Sequence, residues 1–198
     1  MVSTVTRMKA PARREHLLDA AKDVVAGQGF HAVSIEAVAR RAGITRPIVY
    51  RHFDDLGELL AALVVRETAR ALAQLTSFMP SELGDDPREG LLTTLRAYLQ
   101  AVESDPVTWQ LVLVPPEGAP ALLRERIAAG RAAVVRQLAS VAAGSPDPEL
   151  TARALSAVAD EAARLVLADP ERYPPARVLD HARWLLFEAP RQTGLGMP

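Results

Sequence analysis

Residues 34–60, SIEAVARRAGITRPIVYRHFDDLGELL, describe two short helices joined by a glycine turn, with the head of a third helix behind them. Ser34 is a good N-cap, because its hydroxyl can accept a bond from a first-turn N–H. Val33 and Val38 stand at the two positions of a hydrophobic staple. Ile35, Val38, Ala39 and Ala42 follow at helical spacing and give one apolar face. Gly43 ends the helix, since glycine accepts the left-handed conformation a tight exit needs. Ile44 plugs the turn, and a new helix starts at about Thr45. Pro47 falls in its first turn, where a missing N–H removes no intrahelical bond. Val49 and Phe53, four apart, face inward together. Arg46, Pro47, Ile48, Tyr50, Arg51 and His52 are left at the leading end or off that core face. A short helix with a polar, cationic tip and outer side suits insertion into a DNA groove. The pattern alone fits an ordinary helical hairpin equally well, and the neighbouring sequence decides between them.

Residues 13–63 resemble the DNA-binding domain of the TetR family of transcriptional regulators. The likeness rests on an amphipathic first helix ending in Gly27-Gln28-Gly29-Phe30, then Ser34-Ile35, Val38-Ala39 and Ala42-Gly43-Ile44. It continues through Thr45 to Tyr50, Arg51-His52-Phe53 and Leu59-Leu60. The resemblance implies that Tyr50 touches a DNA phosphate. It places Arg46, Pro47, Ile48 and His52 in or near the major groove, and Ser34 beside the DNA backbone. With Thr45 and Arg51 these form the expected DNA-binding set. One departure stands out: Leu56 occupies the place of a usual phosphate-binding lysine, so a substitute cation is sought among Arg13, Arg14 and Arg51.

Charge distribution agrees with a DNA-binding head. The 198-residue chain carries a net charge of −1, but through Phe53 there are 9 Lys and Arg against 4 Asp and Glu. The remainder holds 14 against 20, so a basic tip sits ahead of an acidic body. There is no cysteine, which excludes disulfides and thiolate chemistry. No apolar run approaches the ~20 residues of a membrane span. The first twelve residues hold Arg7 and Lys9 without an apolar core, so they read as a basic arm rather than a secretion signal. A soluble cytoplasmic protein without membrane contact is the expectation.

Helical periodicity runs the length of the chain. Helix one spans about 11–26, with Leu17, Leu18, Ala21, Val24 and Val25 on one face. Asp55 and Glu58 form a capping box for a long helix reaching about Phe78, striped by Leu59, Leu60, Leu63, Val64 and Ala71. Breaks at Gly84–Pro87, Pro115-Pro116, Gly144–Pro148 and Asp169–Pro175 divide the rest into a helix from about Arg88 striped through Val102, a short one from Pro106 halted by Pro115-Pro116, and helices over about 121–143, 149–168 and 176–188. The tail 190–198 reads as frayed. The fold class is therefore all-α: a three-helix helix-turn-helix domain over 1–55, then a helical ligand-binding and dimerisation domain over 56–198.

Enzyme chemistry is not legible. His16, His31, His52 and His181 are scattered with no metal-binding spacing, and there is no phosphate loop or nucleophile elbow. Asp160-Glu161 reads as a solvated face. No cofactor or metal is expected. The family resemblance implies a small-molecule pocket in the body, and Phe78, Tyr98, Trp109, Leu113, Leu123 and Ile127 are candidate walls for an apolar-to-amphipathic effector. It also implies that the final two long helices pair with those of a second chain. Leu155, Val158, Ala159, Ala162, Leu165, Val166, Ala182 and Leu185 are the candidate interface. A two-fold dimer would set two recognition helices about 34–36 Å apart on double-stranded DNA. The reading is a ligand-responsive, homodimeric transcriptional repressor on a palindromic operator. The alternatives are a helical adaptor that never binds DNA and an enzyme in the body.

Overall fold

A computed structural model describes residues 9–81, 84–114 and 121–189, with the side chains of 121–123 outside the description. The basic arm, Pro115-Pro116, the Leu123 side chain and the tail from Pro190 thus lie outside the described residues. The described residues form nine α-helices, with no strand among them. The elements are α1 (Ala10–Gln28), a short 3-10 turn (Phe30–Ala32), α2 (Ile35–Arg41), α3 (Arg46–Tyr50), α4 (Leu56–Phe78) and α5 (Pro87–Ser104). They continue with α6 (Pro106–Leu113), α7 (Ala121–Val141), α8 (Pro148–Ala168) and α9 (Pro175–Phe187). Two compact units emerge, one built on the residues up to Arg66 and one mainly on those from Glu67 onward.

Local signals set the helix ends. Ser34 Oγ accepts the Ala37 N–H at 3.1 Å. Asp55 Oδ1 accepts the Glu58 N–H at 2.8 Å, and Glu58 reaches back one residue further than a capping box requires, to the Asp54 N–H at 2.7 Å. Asp86, Asp105 and Asp147 cap α5, α6 and α8, each followed directly by a proline in the first turn.

The first unit packs α1 on α2 and α2 on α3. Leu17, Leu18, Val24 and Val25 of α1 meet an interior that includes Val38, Val49 and Phe53. At roughly 1.5–3 kcal/mol per fully buried large apolar side chain, this is enough for a small helical core. In the second unit α5 packs against α8 and α9, and α6 against α8. Tyr98, Leu99, Val102, Trp109, Leu113, Ala162, Ala163 and Val166 form its centre.

Glu67 of α4 is wholly buried, although it lies in register with the apolar stripe through Leu63 and Ala71. The Thr108 hydroxyl of α6 donates to it, and Arg70 stands 3.1 Å away. That hydroxyl is also 2.8 Å from Asp105 Oδ2, so the start of α6 is tied to the middle of α4.

Candidate nucleic-acid interface and cavity

The turn between α2 and α3 is closed by paired backbone bonds. Ile44 N–H reaches Ala39 O at 3.0 Å, and Gly43 N–H reaches Arg40 O at 3.2 Å. Gly43 supplies the left-handed residue this termination needs, with φ +67°. His16 Nε2 lies 3.2 Å from the Ala42 carbonyl, tying α1 to the same turn. Pro47 sits in the first turn of α3. Val49 and Phe53 are buried, while Thr45, Arg46, Pro47, Tyr50 and Arg51 are exposed and Ile48 and His52 half-buried. Ser34 is exposed at the start of α2. Of the eight sequence-derived positions, six are therefore exposed and two half-buried, around a turn closed by backbone bonds.

The arginines of this unit divide by task. Arg14 lies over the Phe53 ring at 4.1 Å, donates to the His52 carbonyl at 2.6 Å and pairs with Glu58 at 3.2 Å. That engagement makes it a poor stand-in for the lysine absent at Leu56. Arg41 binds Asp23 at 2.7 Å, and Arg66 binds Asp19 at 2.8 Å and Glu15 at 3.1 Å. The side chains of Arg46 and Arg51 are exposed and make no hydrogen bond or ion pair among the described residues, which leaves their guanidinium groups presented to an external anion.

The second unit contains a cavity of about 130 Å³ between α4, α5, α6, α7 and α8. Tyr98, Trp109, Leu113 and Ile127 line it. Phe78 does not; it packs against the core cluster instead. A second cavity of about 340 Å³ shares Leu72, Leu75, Met79 and Val134 with the first.

Asp160 corrects the sequence reading. It lines the cavity instead of a solvated face. Its carboxylate pairs with Arg131 at 3.0 Å and accepts from Tyr98 Oη at 3.4 Å. Burial raises its pKa above the ordinary 3.8, against the opposing pull of Arg131 and Arg164. Burial also raises the Tyr98 phenol, helped by the neighbouring Asp160 charge. The Tyr98 and Trp109 rings meet edge to face at 5.0 Å. Thr68, Gly130 and Arg131 are further wall residues that the sequence reading missed. Among the described residues, no cluster of three or more His, Asp or Glu could hold a metal. No described helix is long and apolar enough to cross a membrane.

On α8 and α9 the predicted interface splits. Val158 and Leu185 are exposed, at 63% and 48%, and Trp184 and Leu150 join them. Leu155, Leu165 and Ala182 are half-buried. Ala162 and Val166 are buried in the core of their own chain, and Ala159 lines the cavity. This removes the three from a surface open to a partner: α8 turns its small-residue face inward, and its apolar outer positions remain uncovered. α9 carries Val178, Leu179, Leu185 and Leu186 yet buries no residue fully within the chain.

Comparison with known proteins follows the same division. Residues 17–63 match the family described as bacterial regulatory proteins, tetR family. The HTH-type transcriptional activator FasR of Mycolicibacterium smegmatis is 28% identical over 106 residues, covering 54% of this chain and 48% of that protein. The chain thus spans about half the length of that curated relative. Among solved structures, a TetR-like transcriptional regulator from Rhodococcus sp. RHA1 is 26% identical with a TM-score of 0.71, covering 96% of this chain and 100% of that one. A second transcriptional regulator from Rhodococcus sp. is 25% identical with a TM-score of 0.72, covering 90% and 96%.

Proposed function

Because this chain is a transcriptional regulator of the TetR family with a DNA-binding helix-turn-helix, we propose that it acts as a homodimeric, effector-responsive repressor in the cytoplasm. Residues 1–55 form its DNA-binding domain in this reading, and 56–198 its effector-binding and dimerisation domain. The observation that carries it is the outward tip of α3, where Arg46, Tyr50 and Arg51 are exposed on a helix whose core side is locked by Val49 and Phe53. Arg46 reads guanine O6 and N7 in the major groove, a bidentate contact worth about 1–3 kcal/mol. Tyr50 and Arg51 bind phosphates, which set register without reading sequence. Ser34, Thr45, Pro47, Ile48 and His52 complete the contact surface.

Two copies pair through the uncovered outer positions of α8 and α9, including Val158, Leu185 and the half-buried Leu155, Leu165 and Ala182. A two-fold pair presents two α3 tips to a palindromic site. The effector enters the body cavity, and its differential affinity for two conformations shifts the population away from the DNA-binding one. In this reading the cavity binds its ligand without turning it over.

A second reading, transcriptional activation, is favoured by the similarity to a protein named as an activator. Both readings require operator binding and differ in where the operator lies relative to the polymerase. Selection of bound sequences from a random pool, repeated with Arg46→Ala and Tyr50→Phe, tests the shared part. Arg46→Ala relaxes preference at one position per half-site, whereas Tyr50→Phe weakens all sequences alike. An unchanged sequence preference for Arg46→Ala refutes its base-reading role. Transcription in vitro from the selected promoter then separates repression from activation.

A further inference from the structure

We propose that the effector is an uncharged, mainly apolar molecule bearing one hydrogen-bond-accepting oxygen, recognised by the Trp109 indole N–H and the Thr68 hydroxyl. This rests on the reading that the body cavity is the effector site. Both residues line that cavity, and both polar atoms are buried without a hydrogen-bond partner. Trp109 is 1% exposed and Thr68 8%. An indole nitrogen can only donate, so its missing partner is an acceptor, and the Thr68 hydroxyl can donate to the same kind of atom. A buried donor left unsatisfied is costly, and a ligand oxygen that reached either group would relieve it.

The charge of the ligand follows from the rest of the wall. The remaining surface is largely aliphatic, with Leu72, Leu95 and Val134 among its residues. Its two formal charges, Asp160 and Arg131, are already paired at 3.0 Å, and Tyr98 Oη also contacts the carboxylate. An incoming carboxylate finds Arg131 engaged, and an incoming ammonium finds Asp160 engaged. Either ion would give up its hydration without a free counter-charge, whereas a carbonyl or ether oxygen needs only a donor.

Size is set by the two adjoining cavities. The inner one, about 130 Å³, is near the roughly 150 Å³ of an engineered apolar cavity that takes up benzene. The outer one adds about 340 Å³ beyond the shared wall of Leu72, Leu75, Met79 and Val134. Together they suit a ring or a medium-length chain with its oxygen at the inner end.

Titration calorimetry of the full chain with methyl octyl ketone, decanoate, decylammonium and decanoyl-CoA tests the assignment. The ketone binds at least about tenfold tighter than either simple ion, reflecting the desolvation each ion suffers. Thr68→Val lowers ketone affinity about three- to tenfold, the net worth of one hydrogen bond, while the ligand-free melting temperature holds or rises because an unsatisfied hydroxyl is removed. Trp109→Phe gives an independent loss. Decanoate, decylammonium or decanoyl-CoA binding as tightly as the ketone overturns the uncharged class. Undiminished ketone affinity in both folded variants overturns the acceptor assignment. Binding by none of the four probes overturns the cavity as the effector site, a failure distinct from the other two.

Discussion

Gly130→Ala should stabilise the ligand-free protein and weaken its effector binding at once. Gly130 lies inside α7 and lines the cavity. A glycine within a helix costs about 0.5–1 kcal/mol relative to alanine, through the backbone freedom it loses on folding. The alanine Cβ would meet only Leu72 Cδ1, at 4.0 Å, an ordinary van der Waals separation, so no clash offsets the gain. For a chain of this length 1 kcal/mol corresponds to about 2–4 °C, so the melting temperature should rise by about 1–4 °C. The same methyl enters a space of about 130 Å³. If it displaces one ligand methylene, affinity falls about fourfold, from ~0.8 kcal/mol per buried CH₂. Calorimetric melting at fixed protein concentration and titration with methyl octyl ketone measure both quantities. A lowered melting temperature would show that another helix requires the absent side chain. Unchanged affinity would show that the ligand does not touch α7 at this point.

Arg51→Ala should flatten the salt dependence of operator binding by about one unit of log K against log salt per head, or about two for a dimer; an unchanged slope removes Arg51 as the replacement for the lysine absent at Leu56. Leu185→Glu should yield a folded chain that sediments as a monomer and has lost operator affinity, because Leu185 is already 48% exposed in the single chain. Ala162→Glu should unfold the body by burying an unpaired charge, and melting followed by circular dichroism would tell the two apart; a Leu185→Glu dimer would exonerate the α9 surface. Asp160 carries a raised native pKa, so its proton is bound more tightly folded than unfolded. Its contribution is full below about pH 3.8 and is lost as pH rises through the raised native value. The stability difference between wild type and Asp160→Asn, measured by denaturant titration from about pH 3.8 upward, should therefore shift in favour of the variant, and a flat difference would refute the burial effect.

The helix boundaries were legible because the punctuation is chemical: Ser34, Gly43 and Asp55 each satisfy backbone groups within a few residues of themselves. The DNA-facing tip was legible for a related reason, since Val49 and Phe53 fix which side of α3 points inward and leave the other residues outside. The cavity required more than local reading. It depends on how five helices fail to fill the space between them, and no single window contains that. Asp160 was mistaken for a surface acid through its adjacency to Glu161. Helical spacing from Ser156 carries the first residue toward the buried side and leaves the second outside. Glu67 was missed although its signal was plain, a lone charge in register with Leu63 and Ala71. The interface was half-legible: an alanine-rich α8 permits close approach on any side, and periodicity does not say whether Ala162 and Val166 meet their own chain or another.

The buried Glu67 determines what kind of movement α4 can make within the body. Its carboxylate is held by Thr108, next to the Trp109 that walls the cavity. Separating a buried carboxylate from its donor costs on the order of several RT, up to about 3–5 kcal/mol when a charged partner is lost outright. Any movement of α4 that separates Glu67 from Thr108 carries that cost, and an effector that drove it would have to repay the cost through its differential affinity for the second position.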